Sequence, residues 1–232
     1  MKIKSILLSS FLFVVSITSV FAGQVKMGTF NAGSGGNYRF DPQGSIGVDL
    51  SGYAAGKSTD GTWFGTYCIQ KNEYFTPGNI YDVVVNDRSV KAGVNNNQNN
   101  VSDGYDIISV GTAYLYGEFA KGTLVGFNYG LASSAADLQN WFWYLENEQT
   151  NQGSSTFGNL LVAQFGSISN SMVNYTGNEV KVLNLTTGGL TSPTVYNQDQ
   201  LVYVGVSDNG SVVAMLGLTM IGLMVVRRKV SV

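Results

Sequence analysis

One sulfur and no imidazole set the chemical limits of this chain. Cys68 is the only cysteine among 232 residues, and histidine is absent. A single cysteine cannot close a disulfide within its own chain, so in an oxidising compartment Cys68 is free, joined to another chain, or modified in some other way. Without histidine there is no Ser-His-Asp or Cys-His nucleophile pair, and the usual zinc ligand sets are missing too. No metal or cofactor is therefore expected. Asp103 and Asp106 lie in the polar stretch 95–106, but their spacing fits no calcium loop and they read as solvated. Glu73, Glu118, Glu146 and Glu148 supply carboxylates for glycoside hydrolysis, yet their spacing singles out no pair. Glu146 and Glu148, if helical, point about 200° apart. The sequence does not read as that of an enzyme.

The elements that must position Cys68 follow from hydrophobic spacing. Around it, Trp63, Phe64, Tyr67, Ile69, Tyr74 and Phe75 alternate imperfectly with polar residues, which predicts a strand over 66–75 with one face kept dry. Thr76-Pro77-Gly78-Asn79 is a turn signal, and a strand over 80–85 is expected to form a hairpin with the cysteine strand. Upstream, short strands at 24–30 and 45–50 flank a glycine-rich turn at 32–37. Downstream the period changes. Ile107, Val110, Tyr114, Leu115 and Phe119, closed by Gly122, predict a helix over 106–121. Ser134 and Asp137 resemble a capping box before the stripe Leu138, Trp141, Phe142 and Leu145. A third helix is expected over 156–165, ending at Gly166, and strands over 180–185 and 200–206. The expected fold is α+β: a β-rich sheet or sandwich core with about three helices.

The two ends read as addresses. Residues 1–22 begin with Lys2 and Lys4, continue through an apolar run at 6–15 and finish on Val20-Phe21-Ala22, the pattern of a cleaved secretory signal. The mature chain is then expected to begin near Gly23 and to form one extracellular domain over 23–205. A second apolar run at 212–226 is followed at once by Arg227, Arg228 and Lys229. At roughly 15 residues it is shorter than the ~20 a bilayer core asks of a helix, and its basic end would stay cytoplasmic with everything before it outside. An ordinary C-terminal membrane anchor is one reading of this tail. The order Val206-Ser207-Asp208-Asn209-Gly210, apolar run, Arg227-Arg228 also resembles the bacterial PEP-CTERM sorting signals, especially the variant that opens Val-Pro-Asp-Ser-Gly. Ser207 and Asn209 replace the family's proline and serine. The resemblance implies that Val206, Asp208, Gly210, Arg227 and Arg228 belong to the signal. It also implies an exosortase-type membrane protease as partner, passage through the membrane on the C-terminal helix, and delivery to the cell surface or matrix.

Charge agrees with export. Lys and Arg number 13 against 15 Asp and Glu, and five of the basic residues sit in the end signals. The domain between them is clearly acidic, which argues against nucleic acid as a partner. Abundant Gly, Asn, Ser and Thr suit a β-rich extracellular module.

The middle of the chain has a resemblance of its own. Tyr67-Cys68-Ile69, a central helix, and then Leu138-Gln139-Asn140-Trp141-Phe142-Trp143 on a second helix resemble the thioester domains of bacterial surface adhesins. In that family a cysteine after an aromatic residue is joined to the glutamine of a Thr-Gln-x-Ala-Ile-Trp motif. Carried over, Cys68 is the sulfur partner, Gln139 the acyl partner and Trp143 the motif tryptophan; Leu138, Trp141 and Phe142 depart from the motif. Attack of the Cys68 thiolate on the Gln139 carboxamide, with loss of ammonia, gives a thioester that must be shielded from water until an amine or hydroxyl arrives. Gln139 is expected at the edge of the buried stripe, within reach of a strand. Gln70, two residues from Cys68, is disfavoured because the ring would be tight. The bland alternative is a buried, inert thiol and a solvated glutamine, in a structural or carbohydrate-binding matrix protein with Trp141 and Trp143 in the core. In either case the surface target, protein amine or polysaccharide, is not named by the sequence.

Overall fold

Alternating apolar residues build the first strands. The computed structural model describes residues 22–29, 38–90, 105–188 and 195–205. β1 (Ala22–Thr29) buries Val25 and Met27, β2 (Tyr38–Pro42) buries Phe40, and the short β3 (Phe64–Thr66) buries Phe64. β4 (Ile80–Asn86) buries Tyr81 and Val83. Antiparallel register lines these residues up on one face: Met27 opposes Phe40, which opposes Phe64, while Val25 opposes Tyr81. Cross-strand neighbours of this kind are the stabilising unit of a sheet.

β5 (Arg88–Val90) and β6 (Tyr105–Ile107) form a separate two-stranded ribbon. β7 (Val180–Thr187), β8 (Val195–Tyr196) and β9 (Gln200–Tyr203) complete a seven-stranded antiparallel sheet in the order β3-β2-β1-β4-β7-β8, with β9 beside β8 on the same edge of β7. The chain leaving β3 then returns to β9. Leu201 N–H donates to the Tyr67 carbonyl at 3.0 Å, and Ile69 N–H to that of Asp199 at 3.1 Å. The sheet therefore nearly closes on itself, and Cys68 lies on the closing seam.

Helix α1 (Val110–Lys121) fastens that seam from the side. Its Tyr116 hydroxyl lies 2.9 Å from the carbonyl oxygens of both Gly65 and Leu201, one on each side of the closure, and 2.7 Å from the Tyr53 hydroxyl. Ser109 caps the helix start and Gly122, at φ 78°, ends it in the left-handed region where glycine is favoured. α2 (Ala132–Leu145), α3 (Ser155–Phe165) and the single turn α4 (Ile168–Ser171) follow. Leu138, Trp141, Phe142 and Leu145 all face the core, as their spacing requires. Burial of each such side chain contributes about 1.5–3 kcal/mol.

The α+β, strand-rich reading holds, and tertiary pairing corrects several element bounds. The strand expected over 66–75 stops at Thr66, and Cys68 keeps only an isolated bridge to Gln200. The expected hairpin between this segment and 80–85 is absent because both edges of β4 are taken, by β1 and β7. No strand forms over 45–50, a stretch that follows Gly44 and contains Gly47, both at positive φ. The helix expected from 106 starts at Val110, since 105–107 pairs with β5. Ser134 and Asp137 do not cap α2: its N-cap is Leu131, the Ser134 hydroxyl accepts from Asn128 N–H at 3.0 Å, and Asp137 accepts from Ser154, the residue that opens α3. Among the described residues no helix is long and apolar enough to cross a membrane. The export signal up to residue 21, Asp103, and the sorting-signal residues Val206, Asp208, Gly210, Arg227 and Arg228 lie outside the described residues.

Candidate functional site

Cys68 sits where the sheet changes hands from backbone to side chain. The flanking bonds run from Leu201 to Tyr67 and from Ile69 to Asp199, so Cys68 and Gln200 form a non-hydrogen-bonded antiparallel pair, the kind that brings side chains closest together. Two consequences follow. The Gln200 carboxamide lies against the sulfur, with Nε2 at 3.4 Å and Oε1 at 3.8 Å from Sγ. The peptide N–H and C=O of Cys68 point away from β9, toward an edge with no further strand.

Gln139 fills that edge. Cys68 N–H donates to Gln139 Oε1 at 3.0 Å, and Gln139 Nε2 donates to the Cys68 carbonyl at 2.7 Å. One carboxamide thus does for Cys68 what a neighbouring strand would do, and both buried backbone groups are satisfied. Gln139 can reach because α2 packs flat on this segment. Phe142, one turn later, meets the Tyr67 ring at 5.1 Å between centroids. Cys68, Gln139 and Gln200 are each at most 1 % exposed, so Gln139 is fully interior rather than at the stripe's edge.

The segment after Cys68 is tied down on both flanks. Lys71 N–H donates to Glu148 Oε2 at 3.2 Å and Lys71 Nζ to Gln149 Oε1 at 3.0 Å, both just beyond α2. On the β9 side, Gln198 Nε2 donates to the Gln70 carbonyl at 2.6 Å, and Asp199 N–H to Gln70 Oε1 at 3.2 Å. Gln70 is therefore engaged with β9's approach and not with the sulfur. Trp143, one turn past Gln139, is half-buried with Lys71 Nζ 5.6 Å from its ring centre. Trp141 is in the core, its indole N–H donating to the Ser154 carbonyl at 2.9 Å.

The electrostatics favour a protected neutral site. Burial pushes the Cys68 thiol up to about 12, opposed only by the hydrogen bond from Gln200. No cationic side chain among the described residues draws it back down, so this is not the low-pKa environment of an exposed reactive cysteine.

A second buried polar node lies at the other end of α2. The helix stops at Leu145, and Asn147 turns to φ 60°, so Glu146 and Glu148 are not on a helix as expected. Glu146 is fully buried. Its Oε1 accepts from Ser109 N–H at 3.0 Å, from Ser109 Oγ at 2.9 Å, and from the Thr112 hydroxyl, at the N-terminus of α1. Burial holds its carboxyl above the usual carboxylate range, and these hydrogen bonds work against that shift. Glu118 is ion-paired with Lys121 at 2.6 Å. No group of three metal-ligating side chains occurs among the described residues.

Sequence reasoning named Cys68 and Gln139 but missed Gln200, because a cross-strand neighbour depends on register, which a short strand does not reveal. No family model, curated protein or solved structure matches this chain.

Proposed function

We propose that this is an exported bacterial surface or matrix protein that attaches covalently to a target through an internal thioester between Cys68 and Gln139. The observation that carries the reading is the pairing of the Gln139 carboxamide with both peptide groups of Cys68. The Gln139 carboxamide is thereby held in the same buried cluster as the sulfur, against the backbone of the residue that carries it. The Cys68 N–H already donates to the oxygen that would become the thioester carbonyl, the position of an oxyanion donor. Bond formation joins Sγ to the Gln139 side-chain carbonyl carbon and breaks its bond to Nε2; the thiol proton leaves with ammonia. A target amine later forms an amide at that carbon and returns the proton to Sγ. The chain acts once and turns nothing over. Resemblance of residues 206–232 to PEP-CTERM signals adds an exosortase-type protease as processing partner and a C-terminal membrane stage before release to the surface.

Methylamine tests this reading. The mature exported protein should take up one methylamine at Gln139, and Cys68→Ala should take up none. A wild-type peptide containing unmodified Gln139 after treatment would reject the thioester. Truncation after Tyr203 should change the protein's location in fractionated cells; an unchanged location would reject the sorting proposal.

The second reading is a non-covalent matrix component. A cleft of about 290 Å³ between α1, α3 and the approach to β7 is lined by Tyr114, Tyr175, Glu118, Glu179, Lys121 and Gln164. Aromatic faces beside carboxylates suit a saccharide. In that case Cys68→Ala leaves attachment intact.

A further inference from the structure

We propose that Gln200 is the positioning residue of this site: its carboxamide aims the Cys68 sulfur and serves it with a hydrogen bond in both protonation states. The role rests on the thioester reading above and adds a third residue to it. Both hydrogen bonds of Sγ involve Gln200, one from the thiol to Oε1 at 3.8 Å and one from Nε2 to the sulfur at 3.4 Å. A carboxamide carries an acceptor and two donors, so Oε1 can hold the thiol proton before attack and Nε2–H can hold the thiolate during it. Neither function requires the side chain to move.

Gln200 is also well fixed. Its second amide hydrogen is committed to the Gln198 carbonyl at 3.1 Å, its backbone pairs with Leu183 in β7, and it is fully buried. Direct opposition across a non-hydrogen-bonded pair puts its Cβ about 4.5–5.5 Å from that of Cys68, on the same side of the seam. The two carboxamides at the cysteine thus divide the work. Gln139 has its oxygen polarised by the Cys68 N–H and its nitrogen held by the Cys68 carbonyl, which suits the acyl group that loses ammonia. Of the cysteine's atoms the Gln200 carboxamide meets the sulfur and not the peptide groups, which suits the group that steadies nucleophile and leaving thiolate. In surroundings that desolvate the sulfur, a donor to the charged form is worth more than it would be in water.

No electrons change hands in these steps. Formation makes S–C, breaks C–N and releases ammonia with the thiol proton. Opening by an amine breaks S–C, makes N–C and returns a proton to Sγ, whose S–H again donates a hydrogen bond to Gln200 Oε1.

The test uses the mature exported protein as wild type, Gln200→Met and Gln200→Asn, with cooperative thermal unfolding as the check of fold. Methylamine-driven opening is followed by mass across a pH range, and the fraction of freshly exported chains carrying the bond is measured alongside. Gln200→Met should slow opening roughly ten- to a hundredfold, the worth of a hydrogen bond to a charged group, and displace the pH profile upward. Gln200→Asn, which keeps an amide of shorter reach, should recover part of both. Wild-type rate and pH profile in whichever variant unfolds cooperatively would overturn the role while leaving the thioester standing. A cross-linked peptide pair containing Gln200 in place of Gln139 would overturn it too, making Gln200 the acyl group. A wild-type chain with no ammonia deficit and a titratable thiol would remove the thioester and this role together.

Discussion

Helix α2 and its C-cap carry two fully buried polar side chains, and they are held in different ways. Gln139 is neutral and meets a backbone edge, one donor against one acceptor on each side. Glu146 is ionisable and sits at the N-terminus of α1, where one oxygen gathers three donors while Oε2 has no partner among the described residues. A carboxylate in that place serves as a shared cap for two helices, its charge favoured by the α1 dipole and disfavoured by burial. The neutral carboxamide sits against the peptide groups of the one cysteine, where the proposed thioester would form. Glu146 organises the fold alone, whereas Gln139 both organises the fold and, under the proposed function, supplies the acyl group.

Substitution should separate the two nodes. Gln139→Ala has the largest expected effect. It leaves the buried N–H and C=O of Cys68 without partners, at a cost of about 2–4 kcal/mol by thermal or denaturant unfolding, and removes the acyl group altogether. Retained stability would mean that another group takes over the edge. Glu146→Ala frees the Ser109 and Thr112 donors and should cost about 1–3 kcal/mol, yet leave methylamine uptake intact in the folded fraction; lost uptake would show that the nodes are coupled. Cys68→Ala abolishes uptake but, as replacement of a small apolar side chain, should cost only about 1 kcal/mol. The smallest effect is that of Glu146→Gln on pH dependence. The Glu146 carboxyl has a raised pKa in the folded chain, so its contribution is full below the unfolded value and is lost as pH rises through the raised one. Melting temperature should therefore fall less from mildly acid to neutral pH in Glu146→Gln than in wild type, and parallel curves would contradict the assignment.

Local signals carried much of this arrangement and tertiary pairing supplied the rest. The stripe Leu138, Trp141, Phe142 and Leu145, with Gly122 and Gly166 as stops, was legible because helical spacing and left-handed glycine are properties of the chain alone. The position of Cys68 on an apolar, protected segment was legible for the same reason. The partner of that segment was not. Thr76-Pro77-Gly78-Asn79 suggested a hairpin with 80–85, but β4 is enclosed by β1 and β7, and the cysteine segment closes instead on β9, more than a hundred residues away. β2 escaped notice although Tyr38 and Phe40 alternate, because five residues carry little periodicity. Gln200 and the capping role of Glu146 could be seen only after register and helix packing had set their neighbours.

The intact mass of the mature exported protein tests the central claim most directly. Formation of the Cys68 to Gln139 bond predicts a mass lower than that of the mature sequence by one ammonia, with the deficit absent from both Cys68→Ala and Gln139→Ala. A full mass in the wild type, together with a thiol that titrates freely once the protein is unfolded, would contradict it.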